Sequence, residues 1–503
     1  MKLILTLLLA GMSAAAQPSA HTSLTRQIER AIAGSPIAGS AAWGIQATEL
    51  ASGKMLVALN ASHFFVPASN TKLFSTSLAL TKLGPDFTFQ TRVLAAAAPD
   101  ANGVMDGDLR LAGGGDPNLS ARAIPYRVGP NTGDPLAALA ELAGKVAAAG
   151  VTRVNGDIVG DDRWYVWEPF GAGWGIDDPI YDYGAPISAL TLNDNAFTLH
   201  IRPGARAGDL AALELDPAVE YYNIDNRILT TAGGERRVHY ARAPGGMTLE
   251  LWGNMPLQNQ GEDLNLGIDD PARYAALAFR QLLQARGILV TGNAVSRHFS
   301  PYEAADLKQG AAAESDAGVE LARRVSAPLI EDLRITAKVS QNLHAELDLR
   351  AVGKARRNIG SVEAGLEELK AFLTEIGVPV NGYNINDGSG LARLNLVSPA
   401  TVVQLLRFMY ASPARENFLS ILPVGGQDGT LSSRFAGTEM AGRIHAKTGS
   451  LSHVSALSGY AQRRRGDWIA FSILVNNYNG PASEVRAVMD KICGLLVMGE
   501  APR

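Results

Sequence analysis

The chain has 503 residues, of which 47% are hydrophobic and 19% are charged, and its formal net charge at pH 7 is −4. This composition is typical of a globular protein, and the length predicts about two to four domains. This net charge gives no indication of the excess of basic residues typical of proteins that bind nucleic acid or anionic lipid, so we expect neither as a partner.

The N-terminus has the pattern of an export signal. Lys2 precedes the apolar run Leu3–Ala10, and Ala14–Ala16 offers a small-residue cleavage site. We therefore predict that residues 1–16 are a signal peptide and that the mature chain is exported, to the periplasm or another extracytoplasmic compartment. An uncleaved membrane anchor is the alternative. However, the apolar run is shorter than the roughly 20 residues that span a bilayer, so no transmembrane anchor is expected in the mature chain.

A hairpin and a helix are the first predicted elements. Strand patterns cover Trp43–Leu50 and Met55–Leu59, with turn residues between them. A helical pattern begins at Ser69 and ends at Gly84.

A long segment of different texture follows. Between Lys72 and Ser340 lie 267 residues, in which Gly, Pro and Asp turns separate short strand candidates. These candidates are Gly107–Ala112, Gly156–Gly160 and Thr248–Trp252. A helix is predicted over Pro271–Arg286. We predict a β-rich insertion over residues 87–324, with a nested subdomain near residues 197–262.

The last third of the chain returns to helices and long apolar strands. A helix is predicted over Pro328–Val339 and a closing helix over residues 482–497. The strand candidates are Arg443–Thr448, Val454–Ala461 and Trp468–Asn476. Joined with the N-terminal hairpin, they predict one antiparallel sheet flanked by helices. The fold class is therefore α+β and multi-domain, with residues 17–86 and 325–503 forming one domain around the insertion.

Ser69 and Lys72 form a serine–lysine pair at the start of a predicted helix. Positions i and i+3 share a helix face, so the Lys72 amine lies beside the Ser69 hydroxyl. A serine hydroxyl is a weak nucleophile until a base takes its proton. Lysine serves as that base only if burial or a nearby positive charge, such as Lys447, lowers its pKa. Taken alone, Ser69 could equally be a helix N-cap.

The second motif, Ser340-Gln341-Asn342, follows the helix predicted to end at Val339. On a loop at this point, the Ser340 hydroxyl can relay a proton and the Asn342 amide can bind a substrate carbonyl. Taken alone, the motif could be ordinary turn chemistry at a helix end.

The third motif, Lys447-Thr448-Gly449, lies at the end of a predicted strand. Lys447 brings positive charge, Thr448 can hydrogen-bond a carboxylate, and Gly449 lets a substrate approach the backbone. The next amide, that of Ser450, can pair with the Ser69 amide as an oxyanion hole. One motif alone could be a hairpin turn, but all three in this order indicate a serine acyl-transfer site of the penicillin-recognising kind.

No cofactor or metal is expected. The eight histidines show no His-Glu-x-x-His spacing, and the loop Gly113–Gly115 has no Gly-Lys-Ser/Thr after it to make a phosphate cradle.

With these motifs, the mature chain resembles the low-molecular-mass class C penicillin-binding proteins, the D-alanyl-D-alanine carboxypeptidase/endopeptidase family of serine peptidases. The further matching segments are Gly107-Asp108-Leu109, Gly113-Gly114-Gly115-Asp116-Pro117, Tyr183-Gly184-Ala185-Pro186, Asn342-Leu343-His344-Ala345-Glu346, Asp387-Gly388-Ser389-Gly390-Leu391 and Gly426-Gln427-Asp428-Gly429-Thr430-Leu431. The long insertion after the first motif is also typical of this family.

The resemblance implies a transpeptidase/β-lactamase-like catalytic domain that cleaves peptidoglycan stem peptides through an acyl-enzyme and is acylated by penicillins. The implied catalytic residues are Ser69, Lys72, Ser340 and Lys447. The implied substrate-binding residues are Asn342, Thr448, Gly449, Ser450, Ser389, Arg393 and Trp174. No oligomeric state is implied.

Two alternatives remain open at this point. A serine β-lactamase acylates with the same three motifs and differs in hydrolysing the penicilloyl ester rapidly. A non-catalytic peptidoglycan-binding protein could keep the fold without the reaction.

Overall fold

A computed structural model describes residues 23–129, 131–308 and 318–498, so the predicted signal peptide at residues 1–16 lies outside the described residues. The N-terminal part contains the predicted hairpin. The elements in this part are α1 Ser23–Ala33, α2 Pro36–Gly39, β1 Ala42–Glu49, β2 Met55–Leu59 and α3 Lys72–Lys82. Over the described residues, we find no helix with the length and apolar character needed to cross a bilayer.

The helix predicted to begin at Ser69 begins three residues later. A 3-10 turn over Ala68–Thr71 leads into α3, and Ala68 has a left-handed backbone with φ of 48°. The residues before Lys72 thus have the tighter hydrogen bonding of a 3-10 turn, and the α-helix itself begins only at Lys72.

The inserted region is rich in strands, as predicted. Its elements are β3 Gln90–Ala95, β4 Val104–Asp106, β5 Leu109–Ala112, α4 Ala137–Ala148, β6 Arg153–Asn155, β7 Ile158–Val166, β8 Ala196–Arg202, β9 Ala212–Asp216, β10 Asn223–Thr231, β11 Arg237–Ala241, β12 Thr248–Pro256, β13 Glu262–Gly267, α5 Pro271–Gln284, β14 Leu289–Val290, β15 Ala294–Phe299, α6 Pro301–Lys308 and β16 Val319–Val325. A five-stranded sheet has the order β15-β7-β5-β3-β16, and a three-stranded sheet has the order β14-β6-β4. Strands β8 to β13 form two further three-stranded sheets, β13-β8-β9 and β10-β12-β11.

The C-terminal part completes the central sheet. Its elements are α7 Leu329–Lys338, α8 Asn342–Arg357, α9 Val362–Glu375, β17 Tyr383–Asn384, β18 Leu396–Val397, α10 Pro399–Ala411, α11 Arg415–Ile421, β19 Ile444–Leu451, β20 Val454–Gln462, β21 Trp468–Asn476 and α12 Ala482–Met498. The sheet order is β19-β20-β21-β1-β2, and each neighbouring pair is antiparallel. Both ends of the chain therefore build one sheet, which confirms the predicted α+β class.

The two faces of this sheet belong to different cores because side chains alternate along a strand. On β21, Phe471 and Ile473 pack in the core that includes α1 and α12. Ala470 and Leu474 pack in the core that includes α3, α8 and α10. Helix α3, which follows the turn that carries Ser69, thus packs against the sheet.

Two predicted boundaries near the motifs were wrong. Strand β19 continues to Leu451, because Gly449 and Ser450 pair with β20, so the third motif lies inside a strand rather than at its end. Asn342 is the first residue of α8 rather than a loop residue, since the Gln341 side chain accepts a hydrogen bond from the Leu343 amide and caps the helix.

Candidate active site

The serine and lysine of the first motif are in contact. Lys72 Nζ donates to the Ser69 hydroxyl over 3.0 Å. Lys72 is fully buried, and its Nζ also donates to Asn342 Oδ1 at 2.6 Å and to the Ser389 carbonyl oxygen at 2.8 Å. Thr71 immediately precedes α3, so the alternative in which Ser69 caps this helix is wrong.

Burial sets the protonation state of Lys72. It lowers the pKa of this amine to about 7, although the carboxylates of Asp387 and Glu346 act to raise it. A lysine with this pKa is about half neutral at pH 7 and can accept a proton. Burial, rather than the charge of Lys447, is therefore the main cause of the shift. The charge of Lys72 acts instead on Lys447: burial first, and then the positive charge of Lys72, hold the pKa of Lys447 well below its usual value.

The second lysine is joined to the second motif. Lys447 Nζ donates to Ser340 Oγ at 2.8 Å and to the Thr448 carbonyl oxygen at 2.9 Å. Ser340 has a left-handed backbone with φ of 68°, which is uncommon for a serine. This turn directs Ser340 to Lys447 while Asn342, two residues on, contacts Lys72. The second motif therefore contacts both buried amines, Lys447 through Ser340 and Lys72 through Asn342.

Asn342 also contacts the inserted region. Its Nδ2 donates to the carbonyl oxygen of Tyr183 at 2.8 Å, while its Oδ1 accepts from Lys72. The aromatic rings of Tyr181 and Tyr183 stack with their centroids 5.1 Å apart. The insertion thus lies directly against the second motif.

Strand β19 passes very close to the turn that carries Ser69. A Cβ atom built on Gly449 would lie 2.7 Å from the Pro67 carbonyl oxygen and 3.1 Å from the Ser69 nitrogen, so only glycine fits without movement. Asn70 Nδ2 donates to the Lys447 carbonyl oxygen at 2.9 Å and fastens the turn to the strand. Strand β19 lies at the edge of the sheet. Every second backbone amide along it therefore points away from β20 and forms no hydrogen bond with that strand.

A cleft of about 500 Å³ opens beside the third motif. Thr448, Gly449 and Ser450 line it, together with the arginines Arg434 and Arg486. Thr448 Oγ1 donates to Thr430 Oγ1 at 2.8 Å. The lining combines hydroxyl groups and positive charge, a combination that suits a carboxylate.

The other three predicted binding residues meet at one loop. Ser389 is fully buried; its carbonyl oxygen faces Lys72, and its hydroxyl donates to Asp387 at 3.1 Å. Trp174 Nε1 donates to the same carboxylate at 3.1 Å. Arg393 is exposed, and its guanidinium donates to the Ser452 carbonyl oxygen at 3.4 Å. Ser389 therefore contacts Lys72 through its backbone, while its side chain is bound to Asp387 within the loop.

Two carboxylates near Lys72 received no role from the sequence. Asp387 accepts hydrogen bonds from five groups and so shapes the loop after it. Glu346 accepts from the amides of Gly388 and Ser389, each at 2.9 Å, and pairs with Arg350. Both residues lie in segments that match the family, and Glu346 stands four residues after Asn342 on the same face of α8. These two facts could have indicated from the sequence that both carboxylates lie near the site.

Within the residues that the structure describes, no group of three or more His, Cys, Asp or Glu side chains is arranged to hold a metal ion. The three motifs bring together two hydroxyl groups, those of Ser69 and Ser340, and two buried amines, those of Lys72 and Lys447.

This fold and this cleft define the class of serine acyl-transfer enzymes that recognise penicillin. The chain belongs to the D-Ala-D-Ala carboxypeptidase 3 (S13) family, which it matches over residues 24–496, and it is a serine-type D-Ala-D-Ala carboxypeptidase. The resemblance found in the sequence is confirmed.

Relatives and solved structures agree with this placement. The chain is 35% identical to a D-alanyl-D-alanine carboxypeptidase of Actinomadura sp. (strain R39), over 97% of this chain and 88% of the relative. Penicillin binding protein 4 of Haemophilus influenzae has the same fold, with a TM-score of 0.78 and 23% identity over 94% of this chain and 98% of that one. A second structure of that protein contains a β-lactam, with a TM-score of 0.73, 23% identity and the same coverage of both chains.

Proposed function

We propose that Ser69 is the nucleophile. Its hydroxyl oxygen attacks the carbonyl carbon of the penultimate D-alanine of a peptidoglycan stem peptide, an ester forms, and the terminal D-alanine leaves. The observation that carries this proposal is the contact of 3.0 Å between Ser69 Oγ and Lys72 Nζ, an amine with a pKa of about 7. The neutral form of Lys72 takes the hydroxyl proton during the attack.

The remaining steps use the second amine and the backbone. The leaving nitrogen receives a proton through Ser340, whose hydroxyl is held by Lys447 at 2.8 Å. The amides of Ser69 and Ser450 stabilise the negative oxygen of the tetrahedral intermediate. Water then hydrolyses the ester and frees the enzyme.

Substrate recognition follows from the walls of the cleft. Thr448 and Ser450 hold the free carboxylate of the terminal D-alanine, and Gly449 leaves space for the peptide backbone. The Asn342 amide binds a peptide carbonyl after release from Tyr183. The side chain of the diamino acid lies between Trp174 and Arg393, above the loop of Ser389.

Further parts of the proposal concern context. The enzyme also acts as an endopeptidase on cross-linked stem peptides, and penicillins acylate Ser69. The chain is exported, with residues 1–16 removed, and works on peptidoglycan outside the cytoplasmic membrane. Residues 17–86 and 325–503 form the catalytic domain, and residues 87–324 form an inserted domain with a nested part near 197–262.

Release of D-alanine from a pentapeptide that ends in D-Ala-D-Ala tests the proposal. Wild-type protein is expected to release it, and Ser69→Ala is expected to release none while keeping the wild-type melting temperature. D-Alanine release by Ser69→Ala at the wild-type rate would overturn the assignment. Fluorescent penicillin separates the β-lactamase alternative, because a β-lactamase frees the label quickly. Mass analysis of products from cross-linked muropeptides tests endopeptidase action.

A further inference from the structure

Besides the contact of Asn342 with Tyr183, a carboxylate of the inserted region is bound to the second motif. Asp194, in the turn before β8, accepts a hydrogen bond from Gln341 Nε2 at 2.9 Å. Its other oxygen faces His344 Nε2 at 3.0 Å. Gln341 follows Ser340 directly and His344 lies in the first turn of α8, so Asp194 contacts the chain on both sides of Asn342.

Both partners in the contact between His344 and Asp194 are held by further charged groups. His344 is fully buried, and its Nδ1 lies 2.7 Å from Asp332 Oδ1, so both ring nitrogens face carboxylates and the ring is held as a cation. Burial acts to lower the pKa of His344, but the two carboxylates raise it to about 9. On the other side, Arg122 of the insertion forms an ion pair with Asp194.

The turn that carries Asp194 has a well-defined backbone. Asn193, Asp194 and Asn195 all have left-handed φ values, of 47°, 57° and 54°. Asn195 is buried and donates through Nδ2 to the Pro186 carbonyl oxygen at 2.8 Å. Asn and Asp tolerate this conformation better than other non-glycine residues, so the turn presents its carboxylate from a fixed position.

The segment held by Asp194 needs support. Ser340 has a positive φ and its hydroxyl accepts from the buried amine of Lys447, and such a backbone conformation persists only when its surroundings impose it. We propose that Asp194 is a positioning residue: by holding Gln341 and His344 it keeps Ser340 and Asn342 aimed at Lys447 and Lys72. This assigns a role in catalysis to the inserted region, and it rests on the proposed function of the three motifs.

The test compares Asp194→Asn, Gln341→Ala and the double variant in the full chain. Active-site titration with fluorescent penicillin counts the competent molecules, and the acylation rate constant is measured on those molecules alone. We expect each single variant to lower this rate constant by about tenfold or more, since a displacement of about 1 Å can cost a hundredfold. The double variant should be no slower than the slower single, because both substitutions act on the same contact between Asp194 and Gln341. Gln341 is only partly buried, so Gln341→Ala is the variant that folds if Asp194→Asn does not.

A reversed pair provides the rescue. Gln341→Glu alone sets two carboxylates against each other and should be slow. Combined with Asp194→Asn, it restores a carboxylate and an amide, with donor and acceptor exchanged, and should recover much of the rate. The matched control is Asp162→Asn, because Asp162 is a buried carboxylate in the insertion that faces His298 at 2.9 Å and does not contact the motif. It should leave the rate constant unchanged.

The outcomes are distinct. A wild-type rate constant in Asp194→Asn and Gln341→Ala, with fewer competent molecules, would show a purely structural contact and overturn the inference alone. An equal loss in Asp162→Asn, or no recovery in the reversed pair, would also overturn it. A wild-type protein that is not acylated at all would overturn the proposed function together with the inference.

Discussion

The pH dependence of acylation follows from the environment of Lys72. In the proposed mechanism the reactive form of Lys72 is the neutral amine, and the pKa of this amine is about 7. The neutral fraction is therefore about 0.9 at pH 8, 0.5 at pH 7, 0.09 at pH 6 and 0.01 at pH 5. The sign is fixed: lower pH protonates the base, so the acylation rate constant should fall about 90-fold from pH 8 to pH 5.

The same numbers show what burial contributes. An exposed lysine with the ordinary pKa of 10.5 would be neutral in only about 0.03% of molecules at pH 7. Burial thus raises the population of the active base by about three orders of magnitude. The lowering corresponds to about 5 kcal/mol of differential interaction, which the fold supplies by enclosing the amine.

The assay is the rate of covalent labelling by fluorescent penicillin, below saturation, from pH 5 to pH 9. Melting temperatures at each pH show whether the fold persists. Lys72→Arg is a sharp comparison, because arginine keeps its charge throughout this range and should not support labelling. A rate that stays constant from pH 5 to pH 8, or that rises tenfold per pH unit up to pH 9, would refute the reasoning.

Three other outcomes are expected. Lys447→Ala should lower the acylation rate by about 100-fold or more, measured by the same labelling, since it removes the amine that holds the relay hydroxyl; a rate within threefold of wild type would contradict this role. Gly449→Ala should lower the acylation rate by about tenfold, because the new Cβ meets the Pro67 carbonyl oxygen and the Ser69 amide. The melting temperature should change little. Asp387→Asn should lower the free energy of unfolding by about 2 kcal/mol in urea titrations, since an amide cannot accept all five hydrogen bonds; an unchanged midpoint would contradict this.

The sequence predicted those features that depend on local spacing. Ser69 and Lys72 are three residues apart, so their contact follows from the pitch of one helical turn. The strands β20 and β21 are long and apolar, and therefore stood out from the turns that flank them. The family resemblance then joined the three motifs, which lie far apart in the chain.

The features that the sequence did not predict depend on tertiary contacts. Residues Ala68–Thr71 form a 3-10 turn, so α3 begins only at Lys72, and no residue type in the turn signals this. The pKa of Lys72 depends on burial and on Asp387 and Glu346, which come near it only in the folded chain. The contact between Asp194 and Gln341 joins positions 147 residues apart, and neither residue type is distinctive on its own.

The most direct test of the account is the site of the covalent bond. After incubation with penicillin, the protein is digested and the modified peptide is located by mass spectrometry. The account predicts one penicilloyl group per molecule, on Ser69. An adduct on any other residue, with Ser69 unmodified, would contradict it.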